Sequence, residues 1–218
     1  KKTIKLQDIA AGAVSAFLRP NKYEFEIKNA LVHILEDLGS EEQLIMMTSA
    51  PSGAPAGHAN MFYQNRRIDY GDQVMIMIEV NGPGGYYGEI ARTWVLGEPS
   101  KELLEVWDLA KNAQHLIAGM TKPGVSPGKL LDEYNKFLKS NGYPEEGRLF
   151  AHGQGYDLVE RLGFRPEETM ILKENMFITI HPLVFNDKAY AFCCDNYLIT
   201  KDGADLMHKT PQEIIVID

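Results

Sequence analysis

Two stretches of the chain show the spacing of apolar side chains that is typical of amphipathic helices. In the first stretch, apolar residues recur at helical spacing over residues 3–18 and 23–38, and Gly39 ends the pattern. In the second stretch, the same spacing runs over residues 100–120 and 126–140. Each stretch is therefore predicted to form two helices joined by a short link.

The pattern becomes strand-like after each helix pair. The segments there are rich in Ile, Val, Met, Tyr and Phe, which favour strands. They comprise residues 43–48, 73–80, 86–95, 176–181, 189–200 and 214–217. The sequence NGPGG at residues 81–85 is a strong turn signal and predicts a hairpin with Val80 opposite Tyr86.

The order of these elements indicates the fold class. Two helices followed by a hairpin, and then two helices followed by further strands, predict an α+β unit made of two similar halves. No low-complexity linker divides the chain, so a single domain is predicted over residues 1–218.

Composition and charge exclude several classes of protein. The 218 residues are 44% hydrophobic and carry a formal net charge of −8, which disfavours nucleic acid as a partner. No apolar run reaches the roughly 18 residues of a membrane span. The two cysteines, Cys193 and Cys194, are adjacent and are predicted to be reduced thiols, as in a cytoplasmic protein.

The predicted hairpin carries the best candidate chemistry. Glu79, Tyr87 and Glu89 share one face of the sheet with Met75 and Met77, which suggests that this face is buried. Two buried carboxylates are costly unless a cation, a proton or hydrogen bonds compensate them. The pattern therefore predicts either a metal site or an acid–base pair.

Other interpretations of these residues stay open at this point. Glu79 could instead form a structural ion pair with Arg92. His181 ends a strand, His152 lies in a glycine-flanked bend, and His58 lies in a loop rich in Pro, Gly and Ala. Each histidine could equally be a structural residue satisfied by hydrogen bonds.

Seven segments together resemble the creatinase/methionine aminopeptidase family, whose catalytic domain has the pita-bread fold. They are GDQV (71–74), GYYGEIART (85–93), VLG (95–97), KPGVS (122–126), AHGQG (151–155), NMFITIHP (175–182) and CDNYLITKDG (194–203). Their number and order make the resemblance specific, and it covers nearly the whole chain. It implies two pseudo-symmetric helix–helix–strand halves around a curved antiparallel sheet.

The resemblance also implies an altered metal site. Metal-dependent members hold two divalent cations with two Asp, one His and two Glu. The corresponding positions here are Glu79, Glu89, Tyr156, His181 and Cys194. Such a set matches a pair of Mn, Co or Mg ions poorly, so neither a dinuclear centre nor any other cofactor is expected. A single zinc or iron ion on Glu79, Glu89 and His181 is the alternative.

Creatinase works without metal, and the GYY sequence at residues 85–87 resembles it. The resemblance implies that His58 moves the proton, with His181 as the second candidate, and that Glu79 and Glu89 anchor a cationic group. Ala91 stands where creatinase has a carboxylate, so creatine itself is a doubtful substrate. The implied substrate-binding residues are His152, Tyr156, Tyr87 and Cys194.

The expected function is therefore a metal-independent hydrolase or lyase acting on a small guanidino, amide or zwitterionic substrate. One alternative is an Xaa-Pro aminopeptidase or dipeptidase with altered metal ligands. Another is a non-catalytic module that binds peptides. The resemblance further implies a homodimer in the full-length form, in which a further domain is expected to precede the catalytic domain.

Overall fold

A computed structural model describes residues 1–57 and 65–218, and these residues form four helices and eleven strands. The helices are α1 (Lys2–Phe17), α2 (Glu24–Asp37), α3 (Lys101–Met120) and α4 (Pro127–Ser140). The strands are β1 (Gln43–Pro51), β2 (Asp72–Asn81), β3 (Tyr87–Leu96), β4 (Ala151–Gly153), β5 (Glu160–Gly163), β6 (Phe177–Ile180), β7 (Leu183–Phe185), β8 (Tyr190–Phe192), β9 (Asp195–Ile199), β10 (Ala204–Leu206) and β11 (Ile215–Ile217).

Local sequence explains where the second pair of helices begins. The Ser100 hydroxyl accepts a hydrogen bond from the backbone N–H of Leu103 at 3.1 Å, and the Ser126 hydroxyl accepts one from that of Lys129 at 3.3 Å. Both serines therefore cap a helix N-terminus, where backbone donors lack helical partners. None of the described helices combines the length and apolar character needed to cross a membrane.

The strands form two main sheets that adjoin along β3. The first sheet has the order β1-β2-β3-β11 and the second the order β10-β9-β6-β4-β5, while β7 and β8 form a small hairpin. All pairings are antiparallel except that of β11 with β3. The sheets are joined where the N–H of Ala91 donates to the carbonyl of Cys194 at 3.2 Å.

Each helix pair covers one sheet with its own hydrophobic core. Helices α1 and α2 pack on the first sheet, and α3 and α4 pack on the second. A third, smaller apolar cluster brings Met75 and Met77 together with Phe192 and Cys194, where the two sheets adjoin. The α+β fold with two similar halves, predicted from the sequence, is confirmed.

The predicted pairing of the hairpin is wrong by two positions. Val80 lies opposite Gly88 instead of Tyr86, and Glu79 lies directly opposite Glu89 instead of Tyr87. The reason is a turn that lies one residue further along the chain: the Gly82 N–H donates to the Tyr86 carbonyl at 2.9 Å. Gly84 and Gly85 both have positive φ, which other residues rarely adopt.

Some strands carry no usable sequence signal. Three short ones, β5, β7 and β10, were not predicted, because three or four residues are too few to show an alternating pattern. The predicted strand over residues 189–200 is divided into β8 and β9 at Cys193 and Cys194. This break is where the chain passes from the small hairpin to the second sheet.

A buried ion pair fixes the two sheets to each other. The Nη2 of Arg92 lies 2.7 Å from Oδ1 of Asp195, and both side chains are fully buried. Arg92 also donates to the backbone carbonyls of Cys194 at 2.9 Å and Pro211 at 2.7 Å. Arg92 and Glu89 are three residues apart on β3, so their side chains point to opposite faces of the sheet. Glu79 lies opposite Glu89 and shares its face, so Arg92 does not pair with Glu79.

We expect Arg92→Met to lower the free energy of unfolding by about 3–5 kcal/mol, because Asp195 would be left as an unpaired buried charge. Denaturant titration measures this loss. Lys101→Met is the control, since it breaks the exposed ion pair with Glu105, for which a loss of about 0–1 kcal/mol is expected. A similar small loss for both variants would contradict the assignment.

Asp8 on α1 holds a distant segment of the chain. Its Oδ1 accepts hydrogen bonds from the Thr210 hydroxyl at 2.6 Å and from the Thr210 N–H at 3.0 Å. Burial raises the pKa of Asp8, but hydrogen bonds from His208, Thr210 and Lys209 outweigh it, so the pKa lies well below its usual value. The ionised form therefore stabilises the fold.

This shift predicts a pH dependence of stability. The contribution of Asp8 to the free energy of unfolding is complete above the unfolded-state pKa of about 4. It is lost as the pH falls from that value toward the lower pKa of the folded state. We expect the free energy of unfolding to fall more between pH 6 and pH 3 for the natural chain than for Asp8→Asn. Asp37→Asn, at a side chain that is 72% exposed, should keep the natural pH dependence. Equal slopes for all three proteins would contradict the prediction.

Candidate functional site

Three potential metal ligands converge where the two sheets adjoin. Glu89 on β3, His152 on β4 and His181 just after β6 each offer one donor atom, and these atoms lie within 4.8 Å of one another. All three side chains are at most 5% exposed. Across residues 1–57 and 65–218, no other set of three His, Cys, Asp or Glu residues meets the same test.

A backbone carbonyl sets the orientation of His152. The Nδ1 of His152 lies 2.8 Å from the carbonyl oxygen of Gly153, which can only accept a hydrogen bond. In the neutral imidazole, Nδ1 then carries the proton and Nε2 presents a lone pair. Burial lowers the pKa of His152 and outweighs the hydrogen bond to Gly153, so the neutral form is favoured. This arrangement is typical of metal-binding histidines.

The lone pair of His152 faces a carboxylate. Its Nε2 lies 3.7 Å from Oε2 of Glu89, and the rings of His152 and His181 have centroids 5.2 Å apart. Two acceptors facing each other in a buried site require either a proton or a cation between them.

The carboxyl group of Glu89 is held by polar neighbours from the second sheet. Burial raises the pKa of Glu89, whereas hydrogen bonds from Cys194 and Thr179 and the charge of Arg148 oppose the rise. Thr179 and Cys194 also contact each other, with Oγ1 and Sγ 3.2 Å apart. Burial raises the pKa of the Cys194 thiol well above its usual value.

Glu79 adds a second carboxyl group directly across the hairpin. Its side chain is 4% exposed, and its Oε1 accepts a hydrogen bond from Nε2 of Gln154 at 2.9 Å. Gln154 in turn accepts one from Asn196, whose side-chain oxygen accepts the N–H of Glu89 at 2.7 Å. Burial and the neighbouring Glu89 both raise the pKa of Glu79. The Glu79 carboxyl group is therefore linked through Gln154 and Asn196 to the backbone N–H of Glu89.

The surface beside these polar groups is apolar. The small cluster that includes Met75, Met77, Ala91 and Phe192 lies between the two sheets. The ring of Phe192 lies 5.5 Å from that of His181, measured between centroids. Apolar surroundings exclude water and strengthen the electrostatic interactions of any charged ligand.

The structure reassigns one ligand position. The resemblance to the creatinase/methionine aminopeptidase family placed the ligand histidine on Tyr156, but Tyr156 is 64% exposed and packs against Tyr86 with ring centroids 4.3 Å apart. His152 occupies the place among the donors instead. The alternative single-ion set of Glu79, Glu89 and His181 stays a prediction, and the three donors that converge here include His152 and not Glu79.

The other predicted residues lie at different distances from this site. The hydroxyl of Tyr87 donates a hydrogen bond to Glu42, and burial together with Glu42 raises its pKa to about 12. Cys194 contacts the Glu89 carboxyl, as described above. His58, predicted as the proton shuttle, lies outside the described residues. The substrate-binding roles of Tyr87, Tyr156, His152 and Cys194 remain predictions.

Sequence reasoning missed the residues that support the donors. Gln154, Thr179 and Asn196 are nearly or fully buried polar residues, each within or just after a strand of the second sheet. His208 is also buried, and its Nε2 lies 3.1 Å from the carbonyl oxygen of Glu89. The available signal was a polar residue inside an apolar strand, because such residues must find a partner when buried.

Comparisons with known proteins identify relatives of this chain and of its fold. The chain is 26% identical to an Xaa-Pro dipeptidase of Pyrococcus furiosus over 221 residues, covering 99% of this chain and 62% of that protein. The crystal structure of the prolidase from Pyrococcus horikoshii matches with a TM-score of 0.87 and 27% identity, covering 98% of this chain and 62% of that one. The dipeptidase PepE from Mycobacterium ulcerans, at 24% identity and a TM-score of 0.88, shows the same fold over 99% of this chain and 58% of its own.

The chain spans about 60% of the length of the relatives that it matches. A model of metallopeptidase family M24 matches residues 1–201, which is most of the sequence. The fold, the order of the motifs and the convergence of Glu89, His152 and His181 are consistent with this match. The chain belongs to metallopeptidase family M24.

Proposed function

We propose that this chain hydrolyses the amide bond of short peptides at the site formed by Glu89, His152 and His181. The observation that carries the proposal is the convergence of three buried donor atoms within 4.8 Å, in a chain that belongs to a metallopeptidase family. The names of relatives, which include Xaa-Pro dipeptidases, support short peptides as the substrate class. This was the alternative interpretation of the sequence, and the relatives favour it over a creatinase-like lyase.

The residues present fit one cation better than the pair that family members hold. A pair of hard cations needs several oxygen ligands, whereas this set contains two imidazoles and one carboxylate. The nearby side chains of Met77, Ala91 and Phe192 are apolar. When bound, a cation would polarise the substrate carbonyl and lower the pKa of bound water.

The protein groups have separate roles in this proposal. The carbonyl of Gly153 keeps Nε2 of His152 available as a ligand. Glu79 lies opposite Glu89, outside the three-donor set, and anchors the cationic amino group of the substrate. Gln154 fixes the orientation of Glu79 through the 2.9 Å hydrogen bond to its carboxyl group. His58 is proposed to move a proton, as the resemblance implies.

The proposal predicts that dipeptides, with Xaa-Pro compounds first among them, are cleaved and that His181→Ala lowers kcat/KM at least about 100-fold. Loss of residues that merely orient metal ligands costs about 10–100-fold, so loss of a ligand should cost at least as much. The measurement is steady-state release of the free amino acid.

His33→Ala is the matched control, because His33 is on α2 with a side chain that is 78% exposed. Its kcat/KM should stay within about twofold of the natural value. Cleavage of creatine or another guanidino compound, with no cleavage of peptides, would favour the creatinase-like reaction. Binding of peptides without turnover of any compound would indicate a non-catalytic module.

The role of Glu79 gives a separate prediction. Glu79→Gln keeps the size of the side chain but removes the carboxyl group. In the proposal, the substrate ammonium group supplies the positive charge that keeps this carboxyl group ionised, against the burial and the neighbouring Glu89 that raise its pKa. We expect KM for a free dipeptide to rise about 10–100-fold, since a hydrogen bond to a charged group is worth about 1.5–3 kcal/mol. The same variant should bind an N-acetylated dipeptide as well as the natural chain does. An equal change for both substrates would contradict the assignment.

A further inference from the structure

We propose that Glu89, His152 and His181 bind one divalent ion of the zinc class per chain, through two imidazoles and one carboxylate. The inference rests on the proposed function in one respect: both concern the site formed by Glu89, His152 and His181. It assigns a donor set, a stoichiometry and a metal preference that differ from those of the paired centre in metal-dependent family members.

The first step of the argument is geometric. The three donor atoms come from three different strands or their ends, and all lie within 4.8 Å of one another. Ligands of zinc are bound at about 2.0–2.2 Å, so atoms around one ion are separated by less than about 4.4 Å. Small side-chain adjustments from the present positions are therefore enough to close the site around a single ion.

The second step concerns how the ligands are oriented. Metal-bound histidines almost always donate their other ring N–H to a carbonyl or carboxylate. His152 already makes this contact with the Gly153 carbonyl at 2.8 Å. Ligating carboxylates are themselves hydrogen-bonded, and Glu89 is held by Thr179 and Cys194. The supporting contacts of a metal site are thus built from buried residues of this chain.

The third step concerns which divalent ion these donors prefer. Imidazole suits Zn²⁺, Fe²⁺ and Ni²⁺, whereas Mg²⁺, Ca²⁺ and Mn²⁺ favour oxygen ligands. Two histidines and one glutamate are the ligands of several catalytic zinc sites, which leave a further position for water or substrate. The surface beside the donors includes the apolar cluster of Met77, Ala91 and Phe192. The one further carboxyl group described there, that of Glu79, lies outside the three-donor set and accepts a hydrogen bond from Gln154.

The test is metal binding to the whole chain, measured without turnover. Protein freed of metal is dialysed against Zn²⁺ or Mn²⁺ alone, and bound metal is determined by elemental analysis. We expect one Zn²⁺ per chain and an affinity for Mn²⁺ at least about 100-fold weaker. His152→Ala and His181→Ala should each weaken Zn²⁺ binding at least about 100-fold, whereas His33→Ala should bind as the natural chain does.

A second measurement does not depend on the folding of any variant. X-ray absorption of the zinc-loaded natural chain should show two imidazole ligands. Two ions bound per chain, no Zn²⁺ bound at all, or Zn²⁺ binding that survives both histidine substitutions would each overturn the inference. Binding of one Zn²⁺ without cleavage of any peptide would leave the inference standing and contradict the proposed function. Cleavage of peptides by a chain that binds no Zn²⁺ would overturn the inference and leave peptide cleavage standing.

Discussion

Placing two carboxyl groups opposite each other inside the protein is the constraint around which the rest of the site is arranged. Glu79 and Glu89 are at most 4% exposed and are directly paired across β2 and β3. Such a pair is costly in a medium of low polarity unless its surroundings compensate it. The compensation comes from the second sheet, which supplies the amide of Gln154 and the hydroxyl of Thr179.

The same dependence applies to the junction between the two sheets. The Arg92–Asp195 ion pair and the Ala91–Cys194 bridge hold β3 against the start of β9 from the opposite face. A shift between the two sheets would separate Glu89 from His152 and from the groups that solvate it. The Arg92–Asp195 ion pair therefore stabilises the contact between the sheets, and the candidate site lies on the other face of β3 at the same contact.

Sequence patterns predicted the helices and the long strands well, because these elements carry repeated apolar spacing and clear start signals such as Ser100 and Ser126. The shared face of Glu79 and Glu89 was also predictable, since alternation along a hairpin fixes it. The grouping with His152 was not. It depends on the pairing of β4 with β6 and of β6 with β9, and on the bridge from β9 to β3. These segments are far apart in the sequence, so local patterns do not specify their pairing.

The segment around His208 and Thr210 has a consequence for how the first sheet is closed. Residues near the beginning and the end of the sequence meet there: Asp8 accepts hydrogen bonds from Lys209 and Thr210, and Arg92 donates to the carbonyl of Thr210. Strand β11 then closes the first sheet by pairing with β3. Until residues 215–217 pair with β3, the first sheet has an open edge there, and an open edge is a template for pairing with another chain. A chain shortened before residue 215 would therefore expose β3 to association.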